Sequence, residues 1–214
     1  MLLILNERRI MFESIKQYCG NLITEFDAIH KERKVLLEKI SDYISSKKES
    51  NQPIQLIYIC THNSRRSHFG QIWAQVAANY FNVKNVTTFS GGTEATAFNV
   101  NAINAIKRVG FDVKPINIEK NSTYHVSFDE TEKPIICFSK VYNDAQNPQS
   151  NVAAIMTCSD AEENCPFISG VELRIGTTYD DPKAFDNTGL QDTKYDERCK
   201  QIALETLYVF SKVK

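Results

Sequence analysis

One stretch of this sequence concentrates residues able to do nucleophilic chemistry on an anion: Cys60-Thr61-His62-Asn63-Ser64-Arg65-Arg66-Ser67. Before it lies a short β-rich run, Ile54-Gln55-Leu56-Ile57-Tyr58-Ile59. After it, Phe69, Ile72, Trp73, Val76 and Tyr80 recur at helical spacing. A loop between a strand and a helix can turn its backbone N–H groups inward and add them to the helix start, forming a cradle for an anion. Arg66 adds a planar fork suited to a tetrahedral oxyanion. The same positive field favours the thiolate form of Cys60, and a thiolate beside a bound oxyanion is a nucleophile in position. A bare Cys-x5-Arg is a weak pattern, equally satisfied by a buried thiol and a surface arginine. The strand before it, the helix after it and Ser67 beside the arginine turn the reading toward chemistry.

Two further places carry chemistry. Cys158 and Cys165 stand seven positions apart in Cys158-Ser159-Asp160-Ala161-Glu162-Glu163-Asn164-Cys165-Pro166. A continuous helix would hold their Cα atoms about 10 Å apart, and a disulfide needs roughly 7 Å or less. The pair bonds only if the acidic segment between them unwinds. Zinc would need four good donors, and no histidine lies in this region. Spacing alone favours two unrelated thiols. The other place is Tyr179-Asp180-Asp181-Pro182, where an Asp before Pro is either a turn residue or a positioned acid.

The Cys60 loop resembles that of the low-molecular-weight protein tyrosine phosphatases and of the thioredoxin-coupled arsenate reductases sharing their fold, which read Cys-x-Gly-Asn-x-x-Arg-Ser. Cys60, Asn63, Arg66 and Ser67 match. The resemblance implies that Asn63 braces the loop, that Ser67 hydrogen-bonds the thiolate and that Asp181 is the general acid, with Asp180 a second acid or a brace. Cys158, Ser159, Asp160, Ala161, Asn164, Cys165 and Pro166 look like the Cys-x6-Cys motif of the arsenate reductases, which the phosphatases do not require. The implied reaction is a three-thiol relay. Cys60 attacks arsenate, Cys158 attacks Cys60 as arsenite leaves, and Cys165 takes over to leave a Cys158–Cys165 disulfide for thioredoxin. The alternative is a phosphatase acting through phosphocysteine at Cys60. A third class is a module that binds oxyanions without turnover, for which Asp181 would stay out of reach.

This chain departs from the pattern in places. His62 replaces the usual Gly, so the backbone there must tolerate a side chain. Arg65 replaces a residue that is often Cys, and reads as added charge at the mouth of the site or as a solvated helix-start residue. Lys183, Ala184 and Phe185 follow the Asp-Pro where phosphatases place aromatic residues. Gln71 stands where some relatives use a Glu to bind potassium, so potassium dependence is not expected, and the implied chemistry calls for no metal or other cofactor.

The elements positioning these residues read as an α/β fold. It is a parallel sheet with helices on both faces, similar to the low-molecular-weight phosphatases, preceded by an N-terminal helical extension. Residues 1–50 form the extension and 54–214 the catalytic domain. Phe12, Ile15, Cys19, Leu22 and Phe26, then Ile29, Leu36, Leu37, Ile40, Tyr43 and Ile44, give two helical stripes divided at Gly20 or near Asp27–His30. These stripes need an apolar surface, on the main domain or on a second subunit, which makes a homodimer a candidate assembly. Strands are expected at residues 83–89, 124–128, 134–138, 152–156 and 173–175, and helices at 67–80, 99–109 and 192–213. Ser90–Glu94 reads as a turn.

Composition bounds the function. The 214 residues carry 25 Lys and Arg against 26 Asp and Glu, a net charge of −1. No basic patch suggests a nucleic-acid partner. No stretch approaches the ~20 apolar residues of a membrane span, and the N-terminal Met-Leu-Leu-Ile-Leu is too short for a signal peptide core. A cytoplasmic protein is expected, with its six cysteines as thiols rather than a disulfide framework. Cys19, Cys137 and Cys199 lie in apolar helix or strand contexts and read as small hydrophobes.

Overall fold

The computed structural model describes residues 10–164, 168 and 170–214. Two helices come first, α1 (Glu13–Ile23) and α2 (Lys31–Glu49), joined through a 3-10 turn at Phe26–Ala28. Then follow β1 (Ile54–Cys60), α3 (Arg66–Tyr80), β2 (Val86–Gly92) and α4 (Val100–Val109). Three short strands come next: β3 (Asp112–Pro115), β4 (Tyr124–Ser127) and β5 (Ile135–Cys137). β6 (Val152–Met156), α5 (Ser159–Asn164), β7 (Val171–Gly176) and α6 (Gln191–Ser211) complete the described chain.

Four strands form a parallel sheet in the order β2-β1-β6-β7. Alternation along the two central strands sorts their side chains onto two faces. Ile54, Leu56 and Tyr58 of β1 and Ala153 and Ile155 of β6 join one apolar cluster, with residues of α3 and α6. Ile57, Ile59, Val152, Ala154 and Met156 join a second, with Ala161 of α5. Helices therefore cover both faces, unequally. β6, and β1 beyond Gln55, read as continuous runs of buried residues because neither face meets water there.

β2 begins later than expected and runs on through Gly92, so Ser90–Gly92 is strand and not turn. The cause is register: β2 pairs with β1 as far as Cys60 opposite Gly92, which holds the glycines extended. The hairpin β4–β5 forms as expected, but β3 pairs antiparallel with β4 to give a separate three-stranded sheet. β3 escapes sequence reading because Asp112-Val113-Lys114-Pro115 is short and ends in proline, which sheets tolerate only at edges or ends. In α4, Asn99 caps the first turn by accepting from the amides of Asn101 and Ala102. Gly110 closes it at φ 117°, a left-handed conformation suited to glycine.

The N-terminal helices divide at residues 24–30, and Gly20 lies within α1. They pack on the rest of this chain. Ile15, Cys19 and Leu22 of α1 and Leu37, Ile40 and Ile44 of α2 belong to the same cluster as Tyr195, Cys199, Ile202 and Leu207 of α6. Ser41 Oγ donates to the Val209 carbonyl at 2.8 Å. Among the described residues no helix is long and apolar enough to cross a membrane.

Leu37 is 1% exposed, and its truncation leaves a cavity between α2 and the cluster holding α6. Leu37→Ala is expected to cost about 2–5 kcal/mol. Urea unfolding followed by the fluorescence of Trp73, the single tryptophan, should show an unchanged slope and a lower midpoint.

Candidate active site

The sheet brings two of the three thiols singled out in sequence, Cys60 and Cys158, to one edge. Cys60 is the last residue of β1, and β6 ends beside it, with the Thr157 amide donating to the Ile59 carbonyl at 2.7 Å. Cys158 follows. Both therefore lie at the carboxyl ends of adjacent parallel strands, where open α/β sheets place ligands. Both are buried, at 3% and 2% exposed, within one apolar cluster.

Peptide geometry fixes the loop. Its carbonyls are pulled outward by the segment after β2. Thr93 N–H donates to the Cys60 carbonyl at 3.2 Å, Glu94 N–H to Thr61 at 2.8 Å and Asn99 N–H to Ser64 at 2.9 Å. The His62 carbonyl accepts from Thr96 Oγ1 at 3.1 Å and Ser139 Oγ at 2.9 Å. In a trans peptide the C=O of one residue and the N–H of the next point in opposite directions, and there are no cis peptides among the described residues. Pinning these carbonyls outward therefore turns the amides of Thr61, His62, Asn63 and Arg65 to the other side. Gly92 permits the close approach: a Cβ there would lie 2.4 Å from the Glu94 carbonyl oxygen and 2.6 Å from the Asn63 nitrogen.

Asn63 is the brace. It takes a left-handed φ of 42° and is wholly buried. Its Nδ2 donates to Ser67 Oγ at 2.8 Å, and its Oδ1 accepts from the Lys140 amide at 2.9 Å. Ser67 Oγ lies 3.1 Å from Cys60 Sγ. A serine hydroxyl has one hydrogen. With Asn63 donating to Ser67, that hydrogen is free to point at the Cys60 sulfur.

Arg66 is buried at the start of α3. Its Nη1 donates to the Tyr179 carbonyl at 2.8 Å and its Nη2 to Asp181 Oδ2 at 2.6 Å. Its Nε is buried with no hydrogen-bond partner among the described residues. Asp181 thus lies against the loop that carries Cys60. Its other oxygen accepts the Lys183 amide at 3.0 Å, capping the 3-10 turn Pro182–Phe185. Asp180 points to solvent, with Arg198 at 3.4 Å.

Cys158 meets the loop through Thr61, whose Oγ1 lies 3.4 Å from Cys158 Sγ. The Thr61 hydroxyl also donates to Asp160 Oδ2 at 2.7 Å. Its one hydrogen is then committed, which leaves the Cys158 thiol as donor to Thr61. The Ala161 amide donates to Cys158 Sγ at 3.4 Å. Helix α5 occupies the stretch between Cys158 and Cys165. Cys165 itself lies outside the described residues.

No family model matches the chain. An arsenate reductase of Staphylococcus aureus (strain Newman) is 32% identical over 128 residues, which span 59% of this chain and 77% of that protein. The chain belongs to the arsenate reductase family. An arsenate reductase of Brevibacillus brevis (strain 47) is 30% identical over 128 residues, 59% of this chain and 75% of that protein. A solved arsenate reductase in an oxidised state shares 15% identity at a TM-score of 0.48, covering 75% of this chain and 98% of its own. A low-molecular-weight phosphotyrosine phosphatase from Vibrio cholerae O395 shares 13% at 0.48, covering 74% and 95%. At those scores the solved structures add no weight to the assignment, which rests on the sequence relatives.

Within this family of enzymes the two departures in the loop find physical accounts. His62 needs no special backbone, because the left-handed residue is its neighbour Asn63. Its ring stands 41% exposed, 3.6 Å from Glu94. Arg65 is not a solvated helix-start residue. It is 8% exposed and donates through Nε to the Tyr195 hydroxyl at 2.7 Å. That hydroxyl donates to Asp186 Oδ1, also at 2.7 Å. Arg65 lies 3.8 Å from Asp181 Oδ1, so two guanidiniums flank the one carboxylate. Tyr195 and Asp186 escape sequence reading: one sits within the α6 stripe, and an aspartate in a polar loop carries no signal. Gln71 donates to the carbonyls of Thr88 and Ile136, each at 3.3 Å, bridging the two sheets.

Cys19, Cys137 and Cys199 are buried free thiols. Burial pushes Cys19, Cys137 and Cys199 up to about 12. His68, one residue past Ser67, is fully buried with Nδ1 3.3 Å from Ser90 Oγ. Burial, helped by Lys140, pushes it down from 6.5 to about 3. A depressed value contributes stability that is complete above the unfolded-state value and is lost as pH falls toward the folded one. Between pH 7 and pH 5 the His68 contribution should therefore fall by about 2 kcal/mol. Urea midpoints across that range should fall less steeply in His68→Gln, and equal slopes would rule this origin out.

Proposed function

We propose that the protein reduces arsenate with Cys60 as nucleophile and is regenerated through Cys158, Cys165 and thioredoxin. The observation that carries this reading is the contact between the Cys158 thiol and Thr61, the residue after Cys60, at 3.4 Å. A phosphatase needs no second thiol beside its nucleophile; a reductase of this kind does. Membership of the arsenate reductase family supports the same choice.

The oxyanion occupies the loop from Thr61 to Ser67, held by the inward amides and by Arg66. Arsenate and phosphate, near-identical anions, compete there. Cys60 thiolate attacks arsenic(V), and Asp181, once it has exchanged its Arg66 contact for a proton carried in by the protonated oxyanion, gives that proton to the oxygen that leaves. Cys158 thiolate then attacks Cys60 Sγ. A Cys60–Cys158 disulfide forms, the arsenic–sulfur bond breaks, and its electron pair stays with arsenic, which departs as arsenite. Cys165 thiolate attacks Cys158 Sγ and frees Cys60. The thioredoxin dithiol reduces the Cys158–Cys165 disulfide and is itself oxidised. Thr61 suits this sequence: when Cys158 gives up its proton, the Thr61 hydroxyl can turn from Asp160 and donate to the thiolate.

The test is arsenite release with thioredoxin recycling, joined to a thiol map after one turnover. Cys60→Ser should have no turnover. Asp181→Asn should lower kcat by about 10²–10⁴-fold. Cys165→Ser should stop after one turnover with Cys60 and Cys158 joined; normal steady turnover by that variant would refute the relay. Rapid hydrolysis of phosphotyrosyl peptides without arsenite would assign a phosphatase.

A further inference from the structure

The N-terminal helices precede the resemblance, which begins near Ile54, yet one of them reaches the segment that borders the active site. Arg33 lies in the first turn of α2. Its Nε and Nη2 donate to Glu205 Oε2 on α6 at 2.9 and 2.7 Å, and Nη2 reaches the Thr178 carbonyl at 3.5 Å. The guanidinium lies 4.9 Å over the Tyr179 ring. The Tyr179 hydroxyl donates to the same Glu205 oxygen at 2.7 Å. The other end of Tyr179 faces the site, where its carbonyl accepts from Arg66 Nη1 at 2.8 Å. Glu205 is 4% and Tyr179 8% exposed.

The simpler account is that Arg33 only fastens α2 to α6. That fastening is already supplied elsewhere on α2, by Leu37, Ile40 and Ile44 and by Ser41 on the Val209 carbonyl. Glu38 also accepts from Tyr208 at 2.5 Å. Arg33 is distinguished by what it touches: the Thr178–Tyr179 segment that leads directly into Asp181. Tyr179 is gripped at its hydroxyl by Glu205 and over its ring by Arg33, so its carbonyl has little freedom to leave Arg66. Burial, reinforced by Glu205, holds the Tyr179 hydroxyl well above its ordinary value, so it remains a donor.

We propose that Arg33 is a positioning residue for Arg66 and Asp181, acting through Glu205 and Tyr179, so that the N-terminal helices supply part of the active-site scaffold. This rests on the functional reading above. The test uses the full chain with Arg33→Ala, Arg33→Lys, Tyr179→Phe and the Arg33→Ala/Tyr179→Phe double variant. Arsenate KM and kcat are measured per Cys60 titrated with iodoacetamide, with thermal midpoints alongside.

Arg33→Ala should raise KM about tenfold and lower kcat, since small misplacements near the chemistry are costly. Arg33→Lys, which keeps the charge without the fork, should recover part of the loss. Tyr179→Phe, which deletes one oxygen, should reproduce it, and the double variant should be no worse than either single one. A lowered midpoint with KM and kcat at wild-type values would overturn the inference, as would additive losses. If Arg33→Ala does not fold, Arg33→Lys and Tyr179→Phe decide it by the same criterion. Wild type that releases no arsenite would sink the functional reading alone. The inference is then decided by phosphate protection of Cys60 from iodoacetamide: weaker protection in the variants upholds it, and equal protection overturns it.

Discussion

The Asn63 side chain is the constraint on which the site depends. It sits at a left-handed turn with both ends of its amide spent, one on the Lys140 backbone and one on Ser67. The first bond ties the loop to the segment after β5. The second decides which way the Ser67 hydroxyl points, and so what the Cys60 sulfur faces. Asparagine suits this role because it tolerates a left-handed backbone and offers both a donor and an acceptor. The outward-pinned carbonyls and the close approach of Gly92 complete the shape.

Much of this was legible in sequence because loop chemistry is local. Cys60, Asn63, Arg66 and Ser67 fall within eight residues, and the strand and helix flanking them show their periodicities plainly. The parallel sheet followed from apolar runs alternating with helical stripes. What was not legible is what long-range pairing creates. The extension of β2 through Gly92 depends on its register with β1, and glycines alone suggest a turn. The inward course of Arg65 depends on Tyr195 and Asp186, more than a hundred residues away. Nothing in the loop's own sequence tells a buried arginine from a solvated one.

The two adjacent arginines show how burial divides labour between similar groups. Arg66 turns to the Tyr179 carbonyl and Asp181, while Arg65 turns to Tyr195 and Asp186. Burying a guanidinium costs less the more of its fork is met by acceptors. The loop, α6 and the segment before α6 are held together by satisfying both. The N-terminal helices enter the same economy of charge through Arg33, which shares Glu205 with Tyr179.

The pairing of β1 with β6 joins parts of the chain nearly a hundred residues apart; Ile59 lies opposite Met156. Contacts of such separation are slow to form, because a long loop must close before they return any energy. That pairing carries Cys60 and Cys158 to the same edge of the sheet. During folding the two thiols therefore remain strangers until the central strands have docked, and any opening that lifts β6 from β1 separates them again. The sheet itself assembles the pair, which is a product of long-range strand pairing and not of local sequence.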